Sequence, residues 1–331
     1  MKNVDINLGK ACNNRCRFCS NGETTAEQRR WGKLADIQSE ITERRAGGAE
    51  SIGFLGGEPT LYPHLERIVR FAREQGYRRV SLVTNGSRLA DADKLESLLD
   101  AGVTRVAVSI HSHQAKIEDG ITTRKGSFEE KIRALRNLVA QRRRGRLPDG
   151  LSLNTVLHRK NVEYLVEFSA FMKDIGINNI RFNFIRPSWH AENSKAWVPS
   201  FELTTPAVTD LVAQNELRLG LSLNFADFPL CKLPWAVLTN PELMKRYVGE
   251  NWDMITDVTH VRPDPFPDVP EGMVRFNWKV RRKEFKTYLP GCERCVLMPQ
   301  CEGVWQKYLD IYGSDEFITG PALAEACVVA S

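Results

Sequence analysis

The sequence predicts an α/β fold built on a parallel sheet, followed by a small cysteine-rich domain. Three observations lead there. From Val4 to about Pro187, short β-rich runs alternate with longer helical patterns, giving six β-then-α units. Most of the short runs are continuously apolar or β-branched, as parallel strands covered on an outer face require. After Pro187 the rhythm breaks, and four of the eight cysteines fall between Cys231 and Cys301.

The expected strands are Val4–Leu8, Ser51–Leu55, Val80–Thr84, Val103–Ile110, Ser152–Leu157 and Ile180–Ile185. Between them lie amphipathic stretches. Leu65, Ile68, Val69 and Ala72 recur at helical spacing, and Gly76 follows as a C-terminal stop. A second helix is expected from Phe128 to about Arg144, and a third from an Asn161 N-cap to Asp174, with Gly176 just beyond. Six units are too few for a closed eight-fold barrel. Periodicity alone leaves a doubly wound sheet and an open, incomplete barrel equally placed. Trp189, Trp197, Pro199 and Pro206 mark an irregular connection, followed by a helical stretch to about Leu217. This divides the chain into a barrel-like or sheet domain over 1–190, a connection over 191–225 and a C-terminal domain over 226–331. The last has a thin core that calls for a metal staple.

Composition excludes several classes. With 331 residues and 42% hydrophobic content the chain can bury a large core, and its 26% charged residues are ordinary for a globular protein. The net charge of +5 is small for this length and mostly interleaved, which permits an anionic ligand and does not call for nucleic acid. The dense run of Arg142 to Arg144 with Arg146 follows a helical stretch and reads as its solvated, dipole-favoured end. MKNVDINLGKAC lacks the apolar stretch and cleavage site of a signal peptide, and no apolar run is long enough to span a membrane. A cytoplasmic location is therefore expected. In that reducing setting, eight cysteines point to metal or redox chemistry rather than disulfides.

Cys12, Cys16 and Cys19 stand at spacings of four and three in a polar loop just after the first strand. Three thiolates can converge on one [4Fe–4S] cluster and leave one iron open to another molecule. Zinc would want a fourth ligand, and the next histidine is His64. This C-x3-C-x2-C triplet, with Phe18 before its last cysteine, resembles the signature of the radical S-adenosylmethionine (SAM) superfamily. The resemblance continues in Gly56-Gly57-Glu58-Pro59 after the second strand, where relatives bind the SAM amino group. Glycines at a strand end allow close backbone approach, and Glu58 supplies an acceptor for the ammonium. Weaker matches are Thr84-Asn85-Gly86 and Ser109-Ile110-His111, at the ends of the third and fourth strands. The resemblance implies that Ser109 contacts the SAM ribose, that Arg124 pairs with the SAM carboxylate and that Asn154 also faces the cofactor. It covers roughly residues 4–187 and implies a partial (β/α)6 TIM-like barrel, active at the C-terminal ends of its strands.

Cys292-Glu-Arg-Cys295 followed by Cys301 forms C-x2-C-x5-C, preceded at a distance by Cys231. Spacing alone would favour zinc. The string CERCVLMPQCEG, however, resembles the auxiliary-cluster region of SPASM and twitch domains, which implies a second [4Fe–4S] cluster. Where a full SPASM pattern carries another cysteine, this chain has Trp305, so one auxiliary cluster is the limit and the domain resembles a twitch domain. Cys231 as fourth ligand would make that cluster fully protein-ligated and suited to relaying electrons. Cys327, in an apolar tail, reads as a small hydrophobe.

Candidates for substrate contact follow the sixth strand: Asn183, Arg186, Trp189 and His190. Arg186 suits a carboxylate or phosphate and Trp189 a ring. Tyr288 and Asp227 are candidate proton handlers. The resemblance implies a 5′-deoxyadenosyl radical that abstracts hydrogen from a substrate, with flavodoxin or ferredoxin as electron donor. Expected substrates are a small metabolite or, alternatively, a ribosomally made peptide. The triplet begins at residue 12, leaving no room for a preceding peptide-binding domain, and this tilts the expectation toward a small molecule. The C-terminal residues lack the paired glycines of molybdenum-cofactor cyclases, so that assignment has no support. A zinc-stabilised, non-catalytic binding protein is the remaining class, and it requires the triplet and the glycine motif to co-occur by accident.

Overall fold

The computed structural model describes residues 2–19, 29–187, 194–249, 256–262 and 272–317. All six expected strands are present: β1 (Asn3–Asn7), β2 (Ser51–Leu55), β3 (Arg79–Thr84), β4 (Arg105–Ser109), β5 (Leu151–Leu157) and β6 (Asn179–Phe184). They pair in parallel and in sequence order, each with the next. A doubly wound sheet reverses its strand order at a switch point. No reversal occurs across β1 to β6, so the sheet curls as a barrel wall.

Three strands extend it. β7 (Ser222–Ala226) continues the parallel run beside β6, while β8 (Thr256–Arg262) lies parallel to β1 on the opposite side. β9 (Gly272–Asn277) closes that edge as an antiparallel partner of β8. The order is therefore β7-β6-β5-β4-β3-β2-β1-β8-β9, and no pairing joins its two ends among the described residues. The sequence reading stopped at six strands because β8 and β9 follow no strand–helix rhythm. Only their pairing with β1 identifies them as part of this sheet.

Helices α1 (Leu34–Ala46), α2 (Leu65–Glu74), α3 (Ala92–Ala101), α4 (Ala115–Thr122), α5 (Ser127–Arg143), α6 (Leu165–Ile175) and α7 (Phe201–Gln214) fill the connections. Along α2, Leu65, Ile68, Val69 and Ala72 form one buried stripe, as their spacing predicts. Asn161 caps a single 3-10 turn, and α6 proper begins at Leu165 and ends on Gly176 in the left-handed region. The connection after 194 carries α7, with Pro206 inside it, which runs on through a π-turn to Leu219.

Strand residues divide between two environments, most regularly in β3 and β6. Val4, Ile6, Ile52, Phe54, Val80, Leu82, Val106, Val108, Phe182 and Phe225 are buried on the helix-covered face. Asp5, Ser81, Ser109, Asn154, Arg181, Asn183 and Asn224 share the other face, and all keep partial exposure. Apolar burial on the outer face, at roughly 25 cal/mol per Å², holds the helices in place. The inner face is a polar lumen.

Beyond β7 lie two one-turn helices, α8 (Trp235–Leu238) and α9 (Pro241–Met244). They precede β8, β9, α10 (Trp278–Lys283), a short ladder of β10 (Lys286–Thr287) with β11 (Val304–Trp305), and α11 (Gln306–Tyr312). The β8–β9 pair is fastened to the barrel by Glu40 of α1, which is fully buried. Its Oε1 accepts from Arg44 at 2.6 Å and Thr259 at 2.5 Å, and Arg275 of β9 donates through Nε at 3.1–3.2 Å. Burial opposes the charge on Glu40, but these donors outweigh it and hold the carboxyl below its usual range.

Replacing Glu40 with Ala strips the counter-charge from Arg44 and Arg275. The expected cost is about 3 kcal/mol of unfolding free energy, with early proteolytic release of the β8–β9 hairpin. Urea unfolding and limited proteolysis measure both.

Candidate functional site

Beyond β1 the chain enters the loop bearing Cys12, Cys16 and Cys19, and this loop is bonded to the turn that follows β2. Gly57 N–H donates to Gly9 O and Glu58 N–H to Ala11 O, both at 2.8 Å. The approach leaves no space for side chains. A Cβ on Gly57 would lie 2.1 Å from Ala11 O, and one on Gly56 would lie 2.7 Å from Gly9 O. Gly56 also adopts φ +143°, which L-residues rarely tolerate. The two glycines are thus required by backbone contact between the two motifs.

Glu58 occupies a different place from the one its motif suggests. Its side chain is fully buried. Oε1 accepts from Thr60 N–H at 3.0 Å and from the hydroxyls of Thr60 and Thr84 at 2.5 Å, while Oε2 accepts from Asn85 N–H at 2.6 Å. The carboxylate therefore ties the turn after β2 to the end of β3. Sealed in this way, it presents no oxygen to a ligand. Pro59 opens a buried 3-10 turn that continues this anchor.

Polar side chains then tie the cysteine loop to β3 and to α4–α5. Asn85 Nδ2 donates to Asn13 Oδ1 at 2.8 Å, and Asn13 Nδ2 donates to Ser87 Oγ at 2.8 Å. Arg124 Nε donates to Asn14 Oδ1 at 2.8 Å, while its NH2 group pairs with Glu130 at 2.7 Å. The Arg15 and Arg17 N–H groups donate to Thr122 O and Ile121 O at 3.0 and 3.1 Å. Phe18 packs its ring 5.0 Å from His111, 5.4 Å from His158 and 6.4 Å from Trp197. Burial makes charging both histidines costly, and it lowers His158 to about 3.

The three thiols form no disulfide and are partly exposed. Burial raises Cys12 and pushes Cys16 up to about 12, with Lys131 opposing the rise at Cys16. Thiols shifted this far become thiolates only when a cationic centre binds them. Asn14 Nδ2, between Cys12 and Cys16 in the chain, is buried without a hydrogen-bond partner. Three convergent thiols and an orphaned donor beside them fit a cluster with one open iron.

Ser109 and Asn154 stand directly opposite each other on β4 and β5, on the lumen face. Asn183 lies on the same face, opposite Val156 and Ala226. Trp189 and His190 lie outside the described residues, as does Cys327.

Asp227, just past β7, adopts φ +66° and is buried. Its Oδ2 faces Arg186 at 3.4 Å, and Oδ1 faces Arg282 at 3.3 Å and Lys286 at 3.8 Å. Burial alone would push its carboxyl up; Arg186, Lys286, Arg282 and Arg181 outweigh that and hold it at about 2. Asp227 is thus held as an anion at neutral pH. Glu302 completes the network, with Arg282 and Lys286 both at 2.8 Å. Trp305, standing where a cysteine would complete the SPASM pattern, packs its ring against Lys286 at 4.7 Å and Arg186 at 5.8 Å. Arg186 also lies over Trp278 at 4.2 Å.

Cys231, Cys292, Cys295 and Cys301 line one pocket, together with Tyr288. Tyr288 donates its hydroxyl to Cys301 O at 2.7 Å, and burial raises its pKa. It belongs to this pocket rather than to the barrel lumen. Burial pushes Cys231 up to about 12, and Cys301, Cys295 and Cys292 add to the rise, so all four sulfurs sit within electrostatic reach of one another. Gly303, at φ +82°, passes so close to the backbone of Thr287 that a Cβ would meet its O at 2.4 Å.

Sequence reasoning missed Arg181, Asp5, Asn13, Asn14 and Trp278. The signal for Arg181 and Asp5 was present: a charged residue inside an otherwise apolar strand marks the face that is not covered by helices.

Residues 6–172 match the family model described as the radical SAM superfamily. A probable GTP 3′,8-cyclase of Metallosphaera sedula is 29% identical over 223 residues, 66% of this chain and 66% of that protein. The PqqA peptide cyclase of Ruegeria pomeroyi is 27% identical over 281 residues, 79% of this chain and 70% of its own. The chain spans 58 to 66% of the length of the GTP 3′,8-cyclases it matches. Among solved structures, Streptococcus suis SuiB bound to SAM superposes with a TM-score of 0.62 at 16% identity, over 98% of this chain and 76% of that one. AnSMEcpe with bound SAM superposes at 0.64 and 15% identity, over 99% and 95%. These structures share the TIM-like barrel fold.

Two outcomes are expected from this geometry. Lys131 and Glu118, 2.5 Å apart, are both fully enclosed. Lys131→Met strands the carboxylate and should lower the unfolding free energy by about 3–5 kcal/mol in urea titrations. Asp227→Asn should destabilise the fold at neutral pH. Because the folded-state pKa is depressed from 3.8 to about 2, the wild-type advantage holds above about pH 4 and disappears as pH falls toward 2. A pH-independent difference would contradict the assignment.

Proposed function

This chain belongs to the radical SAM superfamily, and we propose that it is a radical SAM enzyme acting on a polar small molecule held in the barrel lumen. Cys12, Cys16 and Cys19 hold a [4Fe–4S] cluster whose open iron binds SAM. When bound, the cluster and SAM supply reductive cleavage of the sulfonium C–S bond and a 5′-deoxyadenosyl radical that takes hydrogen from the substrate. The observation that supports this most directly is the bonding of the cysteine loop to the Gly56-Gly57-Glu58-Pro59 turn. It sets the cluster loop and the SAM-binding turn side by side at the C-terminal ends of β1 and β2.

The chain's own residues orient and enclose. Glu58 fixes the turn from beneath, which leaves acceptors for the SAM ammonium to the backbone of Gly56 and Gly57. Arg124, tethered to the cluster loop through Asn14, receives the SAM carboxylate. Ser109 and Asn154 offer paired polar groups to the ribose across β4 and β5. Phe18, His111, His158 and Trp197 form an aromatic wall that keeps water from one side of the cluster loop.

Cys231, Cys292, Cys295 and Cys301 hold one auxiliary [4Fe–4S] cluster, as in a twitch domain. The shared pocket supports this reading. The assembly relays electrons from a low-potential donor such as flavodoxin or ferredoxin. No helix among the described residues is long and apolar enough to cross a membrane. A peptide substrate is the second reading, favoured by the likeness to PqqA peptide cyclase and by the structure of SuiB bound to the precursor peptide SuiA.

Anaerobic reconstitution should give about eight irons per chain, and about four when Cys12, Cys16 and Cys19 are replaced by Ala. Reduced wild type should convert SAM to 5′-deoxyadenosine and the triple variant should not. Wild type without iron, or without 5′-deoxyadenosine, overturns the proposal. Four irons that vanish in the variant would remove the auxiliary cluster alone.

A further inference from the structure

Arg181 sits in the middle of β6 on the lumen face, between Asn154 of β5 and Asn224 of β7. Protein surrounds it closely enough that desolvation lowers its pKa, an unusual direction for a guanidinium. Its Nε is sealed from solvent without a hydrogen-bond partner. Its acidic neighbours, Asp227 and Asp5, act on it through space. Asp227 is bonded instead to Arg186 and Arg282. Asp5 bonds to Asn3 at 3.3 Å, and burial pushes its carboxyl up to about 6. Among the described residues the Arg181 side chain makes no hydrogen bond or ion pair.

Arg181 belongs to a cation-rich cluster. Arg181, Arg186, Arg282 and Lys286 surround Asp227, and Glu302 pairs with two of them. Even with Asp5 ionised, four cations face three acids. Arg282 and Lys286 are committed to Asp227 and Glu302 on the side of α10 and β10. Arg186, paired with Asp227 at 3.4 Å, keeps 32% side-chain exposure, and among the described residues Arg181 is the one cation of the four whose side chain is bonded to no acid.

An enclosed guanidinium without a partner is costly unless an anion completes it. Its planar donors match an oxyanion in two-pronged geometry. We propose that Arg181, assisted by Arg186, receives an oxyanion group of the substrate, a carboxylate or a phosphate, in the barrel lumen. This fixes one end of the substrate on β6, beside Asn154 of β5 and two strands from Ser109 of β4. It makes the substrate class anionic, and it rests on the reading of the lumen as the substrate chamber.

The test uses reconstituted, SAM-loaded holoenzyme titrated calorimetrically at constant ionic strength, once with inorganic phosphate and once with acetate. Wild type should bind one of them saturably, and the arm that succeeds identifies the group. Arg181→Gln should weaken that binding at least about tenfold, and Arg186→Gln by less. In anion-free buffer Arg181→Gln should melt no lower than wild type, because it removes an unpaired charge. Only wild type should gain melting temperature on adding the anion. No saturable binding of either anion, equal binding by Arg181→Gln, or a lower melting temperature of that variant in anion-free buffer would each overturn the inference. Uncoupled 5′-deoxyadenosine formation by wild type is measured beside it. Its absence would sink the proposed radical chemistry, whereas its presence without anion binding would sink this inference alone.

Discussion

Two backbone hydrogen bonds of 2.8 Å join Gly9 and Ala11 to Gly57 and Glu58, across a gap too narrow for any side chain. That contact brings two loops from different strands into one unit, and most of the site is arranged around it. Glu58 then locks the unit to β3 through Thr84 and Asn85, and Asn85 reaches back to Asn13 in the cysteine loop. The ring of contacts is closed: cysteine loop to β2 turn, β2 turn to β3, β3 to cysteine loop. Three thiols on a polar loop would otherwise sample many arrangements at considerable entropic cost. Here most of that cost is met by the fold before any cofactor arrives.

The sheet supplies the setting. Parallel strands place all their C-terminal ends on one side, so loops from β1, β2, β3, β4 and β5 converge there without further design. Alternation divides the strands between a helix-covered apolar face and a polar lumen. Because the lumen carries Asp5, Asn154, Arg181 and Asn183 in place of packed aliphatic layers, it is suited to a polar guest.

The C-terminal region is joined to this barrel by aromatic packing, Tyr308 lying against Phe184 and Phe201, and by charge. Glu40 binds Arg275 of β9, and Asp227 with Glu302 gathers Arg186, Arg282 and Lys286. Buried ion pairs of this kind are strongly destabilising to break and weakly stabilising to form. They act here as registration devices. The rings of Trp278 and Trp305 lie against the Arg186 guanidinium.

The sequence by itself determined the parallel α/β class, the six core strands and the positions of both cysteine groups. These are local properties: apolar runs, helical spacing, and thiols a few residues apart. The placement of Asn154 on a strand was also legible, since it falls within the apolar run expected as the fifth strand. Only the tertiary structure decided the rest. β8 and β9 are strands because β1 offers them an edge, a partner more than two hundred residues away. Glu58 turns inward because Thr60, Thr84 and Asn85 converge on it from two strands, which no spacing in the motif encodes. Asp227 is a fixed anion, Tyr288 belongs to the auxiliary pocket, and Arg181 stands unpaired in the lumen. Each outcome depends on which charges and backbone groups surround a side chain once distant segments have packed, and a linear pattern does not carry that information.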